Sequence, residues 1–496
     1  MEGLKDHGIL LWGCGERGEM AMTMFPWLPV RAAVDGDPTK QGKTWHGVEV
    51  ISREAYLKRY AELPVLVTPN QPEGIVTFLQ QHGCHRYWVL RDILQEDGAF
   101  GLDDAEEAAD ATWACWKWQL MDAIHRAVAM RWHRIGKEYF EHHFLCNRHG
   151  QTKEELLNLL RHAKHPVLTA SYASVRAPFL ELMDAAPVFV KLGDDLPADA
   201  DLLLIHGLTL SNRILQLAMQ AESRGGGIPI LFTEDGFLRS IEPGTGTLCY
   251  AAAHAIQLDM GGLAIHADSP SLLEDSMNSN RELDDEELTR ARNIIQKLRR
   301  ERLTKYNHQR LTGRQLGTPG REKVLVIDQV YGDKSITYGW ATDDTFLEMY
   351  RKAVEENPDA DIYVKAHPVP SKGHFASVKA QGRIHLLTEP MNPIELAMQM
   401  DKVYVCTSQL GFEAAFCGKE VHVFGMPFYA GWGFTVDAQQ NPNRRRIRTV
   451  EEAFYFAYIA SSVYVSYQSH GICEIEQAIE ELLELRKEYF HRGLPE

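Results

Sequence analysis

Short, almost wholly apolar runs that stop at Gly, Asp, Thr or His recur along this chain at helix-length spacing. PVLTAS, PVFVKLG, DLLLIHG and IPILFTEDG form one set, beginning near residue 165, and KVLVIDQ, DIYVKAHP, RIHLLTE, KVYVCTS and EVHVFGMP form another. A strand with no polar face must be covered on both sides, so each set predicts a parallel sheet sandwiched between helices. An earlier set, ILLWG, VRAAVDGDP, PVLVTPN and RYWVL, occupies the first hundred residues. At 496 residues the chain exceeds one hydrophobic core. The expected division is a Rossmann-like module over 1–103, a helical connector over 104–160, two α/β halves over 161–315 and 316–450, and C-terminal helices over 451–496.

Composition narrows the function. A formal net charge of −16 excludes nucleic acid as a main partner, because phosphate binding needs a basic field. The eight cysteines contain no C-x-x-C pair, so neither a zinc knuckle nor a disulfide framework is expected. No run of 18 apolar residues occurs and the start, MEGLKDHGILLWG, does not read as a signal sequence, which predicts a cytoplasmic protein. Two basic clusters, KLRRERLTKYNHQR (297–310) and RRRIR (444–448), are candidates for peripheral docking on an anionic membrane, or else solvated helix and linker. Trp113, Trp116, Trp118 and Trp132 are expected to pack one domain against another rather than to sit in a membrane interface.

In an open parallel sheet ligands gather at the carboxyl ends of the strands, so the residues that follow each run are the candidates. Glu234, Asp235 and Gly236 follow ILFT; Gln329, Gly332 and Ser335 lie in the polar loop after KVLVI. Lys365, His367 and Pro368 follow DIYV, whereas a second His-Pro pair, His165-Pro166, precedes its strand at the wrong edge. Thr407 and Ser408 lead into a helix carrying Gln409 and Glu413, and Gly425, Gly431 and Gly433 space the GMPFYAGWG loop for close approach to a ligand. Hydroxyls at a helix start, an imidazole and an ammonium suit a phosphate; a carboxylate at Asp235 suits a base or a nucleophile. The D-x-D triplets at Asp35, Asp199 and Asp359 are read as turn features, not as metal-diphosphate sites, and no metal is expected. In the first module GCGERG supplies Gly13, Gly15 and Gly18, with Asp35 about 20 residues on. That is a dinucleotide-type fingerprint for either a nucleotide pocket or a tight turn alone. It brings no proton-relay residue for a dehydrogenase.

EDGFLRS, VKAHP, TSQLGFEAAFCGKEV and FYAGWG, in that order, resemble the retaining β-Kdo glycosyltransferases of Gram-negative capsule and lipopolysaccharide assembly, from about residue 228 to 448. The resemblance implies a GT-B fold, two Rossmann-like domains facing a cleft, here with an extra N-terminal Rossmann-like domain and one transferase module. It implies Asp235 as the nucleophile on CMP-β-Kdo, His367 with Thr407 and Ser408 on the CMP phosphate, and transfer without a metal cofactor to a glycan or lipid-linked acceptor. Association with the inner membrane or with other capsule-assembly proteins would follow. Glu234 is a neighbour with an orienting or acid–base role, and the chemistry of a guanidinium assigns Arg239 to the donor carboxylate. An inverting CMP-sialate-type transferase with Asp235 as base, and a non-catalytic nucleotide- or glycolipid-binding scaffold, are the competing readings.

Overall fold

The computed structural model describes residues 2–69, 72–95, a broken run between 112 and 124, 151–169, 177–190, 195–207, a broken run between 217 and 224, 227–243, 248–268, 271–366, 373–375 and 377–492. Among these residues the strands form three sheets in a mixed α/β fold. The first holds β1 (Ile9–Trp12), β2 (Val30–Val34), β3 (Thr44–Trp45), β4 (Val48–Ile51), β5 (Val65–Val67) and β6 (Tyr87–Val89), in the order β3-β4-β2-β1-β5-β6. All pairings are parallel except the β3–β4 hairpin, which the sequence reading did not foresee. Its two-residue turn uses positive φ at His46 (46°) and Gly47 (79°), the twist that a tight hairpin requires. Trp113 packs on Trp88 at 4.6 Å and Trp116 on His7 at 4.7 Å. These two indoles therefore fill this module's own core instead of joining domains, because the aromatic surface they need is on the adjacent sheet. Trp118, Trp132 and most of the expected connector lie outside the described residues.

The second sheet combines β7 (Pro166–Thr169), β8 (Val188–Val190), β9 (Leu202–His206), β10 (Ile230–Asp235) and β11 (Ala255–Asp259) with two late strands. The third runs β12 (Lys323–Ile327), β13 (Asp361–Lys365), β14 (Ile384–Leu386), β15 (Lys402–Val405), β16 (Glu420–Val423) and β17 (Val436–Asp437). Its strands are all parallel in the order β14-β13-β12-β15-β16-β17, and the direction of winding reverses between β12 and β15. The carboxyl edge at such a reversal is where an α/β sheet opens a crevice. The late strands correct the expectation of helices alone over 451–496. After the turn Tyr455–Ala460, β18 (Ser462–Val465) and β19 (Ile472–Cys473) return to the second sheet and give it the order β19-β18-β11-β10-β9-β7-β8. β10 pairs with β9 in parallel and with β11 antiparallel, so its carboxyl end lies inside the sheet and is held from both sides.

Aromatic packing joins these two sheets. Phe237, just after β10, lies 4.5 Å from Phe428 and 5.2 Å from Tyr458, which stacks on Phe454 at 4.4 Å. Such pairs contribute roughly 0.5–1.5 kcal/mol each beyond the area they bury. The ion pairs between the helices Asp285–Glu301 and Ile475–His491, Arg290 with Glu474 and Glu476 and Lys297 with Glu480, are solvent-exposed and contribute about 1 kcal/mol or less each. The aromatics set the geometry. FYAGWG belongs to this packing and not to a ligand loop. Trp432 is buried and its Nε1 donates to the Phe428 carbonyl at 2.8 Å, while Tyr429 fills the space beside Gly411. Gly425 touches Thr407 and the Gly339 carbonyl, and Gly431 and Gly433 pack near Arg444 and Ile447. Their expected role in ligand approach is corrected to one in chain packing.

Candidate functional site

At the end of β10 the Asp235 carboxylate meets the Nε of Arg239 at 2.8 Å. The Arg239 side chain is wholly buried and also donates from Nη1 to Ser240 Oγ (2.7 Å) and to the Ala251 carbonyl (3.0 Å). A guanidinium sealed in this way does not reach a donor sugar, which corrects its assignment to the donor carboxylate. It neutralises Asp235 from behind instead. Asp235 and Glu234 keep partial exposure, 11% and 20% of their side chains. Gln257 on β11 donates to the Asp235 carbonyl at 3.1 Å and so fixes the strand end. Glu234 stands 4.0 Å from Nε2 of His206, whose Nδ1 lies 3.0 Å from Thr233 Oγ1. His206 ends β9, the parallel neighbour of β10; inspecting the last residue of each strand as well as those after it would have found it.

From the third sheet the structure brings together three predicted residues. Gln329 Nε2 donates to Ser335 Oγ (3.2 Å) and Thr407 Oγ1 (3.0 Å), the Thr407 amide donates to Gln329 Oε1 (3.0 Å), and the two hydroxyls lie 3.1 Å apart. This knot closes the carboxyl edge between β12 and β15, where the winding reverses. Gly332 takes φ +80° in the turn before Asp333, and Asp333 Oδ1 accepts from the Ser335 amide and hydroxyl. Ser408 is half-buried at the start of the helix Leu410–Phe416, its carbonyl accepting from Tyr429 at 2.5 Å. Lys365, expected to add positive potential, is bound to the carbonyls of Leu387 (3.5 Å) and Glu389 (3.0 Å), and burial lowers its pKa. Its ammonium caps the end of β14 rather than facing a ligand. His367 and Pro368 lie outside the described residues.

Two further assignments change because the structure braces the sheets through them. Gln409 Nε2 reaches the Phe237 carbonyl at 2.7 Å, and Glu413, only 2% exposed, accepts from Thr304 Oγ1 at 2.5 Å. Both were expected on the donor; Glu413 is an internal tie away from water, and the half-buried Gln409 commits its Nε2 to the Phe237 carbonyl. Burial pushes Glu413 up from 4.5 to about 7, against hydrogen bonds from Thr304, the Lys305 amide and Gln409. A carboxyl raised in the folded state stabilises fully below about 4.5, and that contribution is lost as pH rises toward 7. Glu413→Gln should therefore melt progressively higher relative to the parent chain between pH 5 and pH 8. A difference constant over that range would show that Glu413 does not titrate there.

The tie leads to a segment absent from the sequence-based site. Residues 304–307 run beside the E-D-G loop: Arg239 and Ser240 amides both donate to the Lys305 carbonyl at 3.2 Å, and Asn307, wholly buried, donates from Nδ2 to the Ser240 carbonyl at 3.0 Å. Only an arrangement of the chain in space reveals this, because the segment follows Asp235 by about 70 residues.

In the first module Gly18 presses on the Gly13 carbonyl, where an added Cβ would come within 2.1 Å, and Gly13 takes φ +110°. Gly15 is open. Asp35 accepts from the Cys14 amide at 2.8 Å and pairs with Lys40 at 3.2 Å, so its carboxylate clasps its own glycine turn. The other D-x-D aspartates also hold main chain: Asp201 accepts from the Lys164 amide and Asp361 from the Thr318 amide. The basic clusters are internal only in part, since Arg300, Arg310 and Arg445 are exposed. Arg444 binds Glu274 and the Ala430 carbonyl, Arg448 binds the Met277 and Ser279 carbonyls, and Lys297 pairs with Glu480. Among the described residues no helix is long and apolar enough to cross a membrane, and no group of three His, Cys, Asp or Glu side chains is placed to hold a metal ion.

The family model described as capsule polysaccharide biosynthesis protein matches residues 211–470, just over half the chain. The capsule polysaccharide modification protein LipA of Neisseria meningitidis serogroup B is 38% identical over 252 residues, covering 48% of this chain and 35% of that protein. The lipopolysaccharide-processing protein LpsZ of Rhizobium meliloti is 34% identical over 258 residues, covering 51% of this chain and 58% of that one. The chain thus spans roughly a third to somewhat over half of these curated relatives. Among solved structures, the Thermosulfurimonas dismutans KpsC β-Kdo 2,4 transferase is similar at 34% identity and a TM-score of 0.58, over 65% of this chain and 98% of that one. The matched segment holds Asp235, the Gln329–Thr407 knot and the first late strand, β18, and this chain belongs to the capsule polysaccharide biosynthesis protein family.

Proposed function

We propose that the chain is a GT-B glycosyltransferase that moves Kdo from CMP-β-Kdo to a glycan or lipid-linked acceptor with retention of configuration. The observation that carries this reading is Asp235 itself, a partly exposed carboxylate at a strand end with a buried arginine behind it. Arg239 holds one oxygen, leaving the carboxylate oriented for attack. The name of the T. dismutans structure supplies the sugar. An Asp235 oxygen attacks the anomeric carbon, the bond to the CMP phosphate breaks, and the phosphate oxygen keeps the electron pair. An acceptor hydroxyl then displaces the aspartate from the opposite face, and Glu234, beside His206, takes its proton. Two inversions leave the configuration unchanged. The Gln329, Ser335 and Thr407 cluster and Ser408 lie on the donor side, where one phosphate calls for hydroxyls and amides rather than a divalent cation. Such a donor places the enzyme in the cytoplasm.

The test is CMP release from CMP-Kdo generated in situ, with and without chelator, followed by determination of the product's anomeric configuration. CMP release unaffected by chelator together with a β-linked product is the expected result. An α-linked product would replace double displacement by direct inversion.

A further inference from the structure

The site needs a cation for its anionic donor, and the two suggested by sequence are committed elsewhere: Arg239 is sealed on Asp235, and Lys365 caps carbonyls. Lys305 is differently placed. Its main chain is pinned on one side by the Arg239 and Ser240 amides, which donate to its carbonyl, and on the other by the buried Glu413, which accepts from its amide. Thr304 and Asn307 lock the residues flanking it. The half-buried side chain runs past Tyr306, with Nζ 5.8 Å from the ring centroid. Among the described residues no hydrogen bond or ion pair engages that ammonium. Burial acts to lower its pKa, but Tyr306 and then the Asp235, Glu234 and Asp333 carboxylates outweigh burial and leave it raised, so it stays charged. Those carboxylates come from the end of β10 and from the loop after β12, and the Lys305 main chain is itself bonded to residues 239 and 240, just beyond Asp235.

We infer that Lys305 binds the carboxylate of a 2-keto sugar acid donor, an assignment that rests on the function proposed above. In such a donor the carboxylate is bonded to the same anomeric carbon that Asp235 attacks. A lysine whose carbonyl is bonded to the amides four and five residues beyond Asp235 is therefore within side-chain reach of that group once the sugar is seated. Its charge also offsets the repulsion between the incoming carboxylate and the two acidic side chains. A neutral aldose lacks this group, so Lys305 selects sugar acids over ordinary hexoses.

The experiment compares Lys305→Met and Lys305→Arg with the parent chain, measuring KM and kcat for CMP release from CMP-Kdo and Kd for CMP alone. The expected result is a donor KM raised about tenfold to a hundredfold in Lys305→Met, a CMP Kd within twofold of the parent, and substantial recovery in Lys305→Arg. A CMP Kd that rises in step with KM would assign Lys305 to the phosphate and overturn the inference. A fall in kcat at constant KM would overturn it in favour of an effect on Asp235. Loss of CMP binding and of thermal stability in both variants would make the residue structural. If the parent chain binds CMP and releases it from CMP-Kdo while Lys305→Met is unaltered, this inference alone fails. If the parent neither binds CMP nor consumes CMP-Kdo, the proposed function fails and the inference with it.

Discussion

Asp235→Asn is expected to lower transfer by about 10⁴-fold or more, the order of loss when a covalent nucleophile is removed while binding groups remain. Incubated with CMP-Kdo, the parent chain should gain the mass of one Kdo residue, and the variant none. The substitution also leaves the fully buried Arg239 without a counter-charge. Breaking a buried pair costs about 3–5 kcal/mol, and the lower end is expected here because Asp235 keeps contact with solvent and asparagine retains an acceptor oxygen. Melting curves and CMP titration therefore belong beside the rate. A variant that folds, binds CMP and still transfers at more than about a hundredth of the parent rate would exclude a covalent role.

Gly236→Ala should also be strongly damaging without touching a reacting group. A Cβ there would lie 2.3 Å from the Ala255 Cβ, 2.8 Å from its carbonyl carbon and 3.0 Å from its oxygen, the same oxygen that accepts the Gly236 amide at 2.9 Å. Backbone, not a flexible side chain, blocks the space, so β10 and β11 must separate. Overpacking of this kind costs about 1–3 kcal/mol, and a displacement of about 1 Å at Asp235 costs on the order of a hundredfold in rate. Adding Ala255→Gly removes the closest contact but leaves the carbonyl in place, so the double variant should recover only part of the loss. Parent-like activity in Gly236→Ala would mean that the strand end need not be held so tightly.

The buried strands and their polar ends were legible in the sequence because a strand apolar on both faces has few alternatives, and because chemistry collects where such strands stop. Asp235, Gln329, Ser335 and Thr407 came from that rule. What it could not supply was direction. Arg239 sits four residues beyond Asp235, and nothing in the spacing says whether its guanidinium turns inward or outward. Glu413 looks like one more polar group at a helix start, yet its partner Thr304 lies 109 residues away. Lys305 was hidden in a basic stretch that reads as solvated helix, since only tertiary hydrogen bonds place its backbone against the E-D-G loop. The late strand SVYV follows the helical run YFAYIA directly and is too short to announce itself by period.

That late strand governs the order in which the protein can be completed as it leaves the ribosome. β11 pairs with β18 across roughly 200 intervening residues, and β18 with β19 across a short loop. At 5–20 residues per second, β11 waits on the order of 10–40 s for its partner, long enough for the all-parallel sheet encoded in between to assemble first. Until then the free edge of β11, one strand from Asp235, presents unmatched amides and carbonyls to the cell. A nascent chain halted before Ser462 would display that edge, which makes it a natural substrate for a chaperone and a poor point at which to divide the gene.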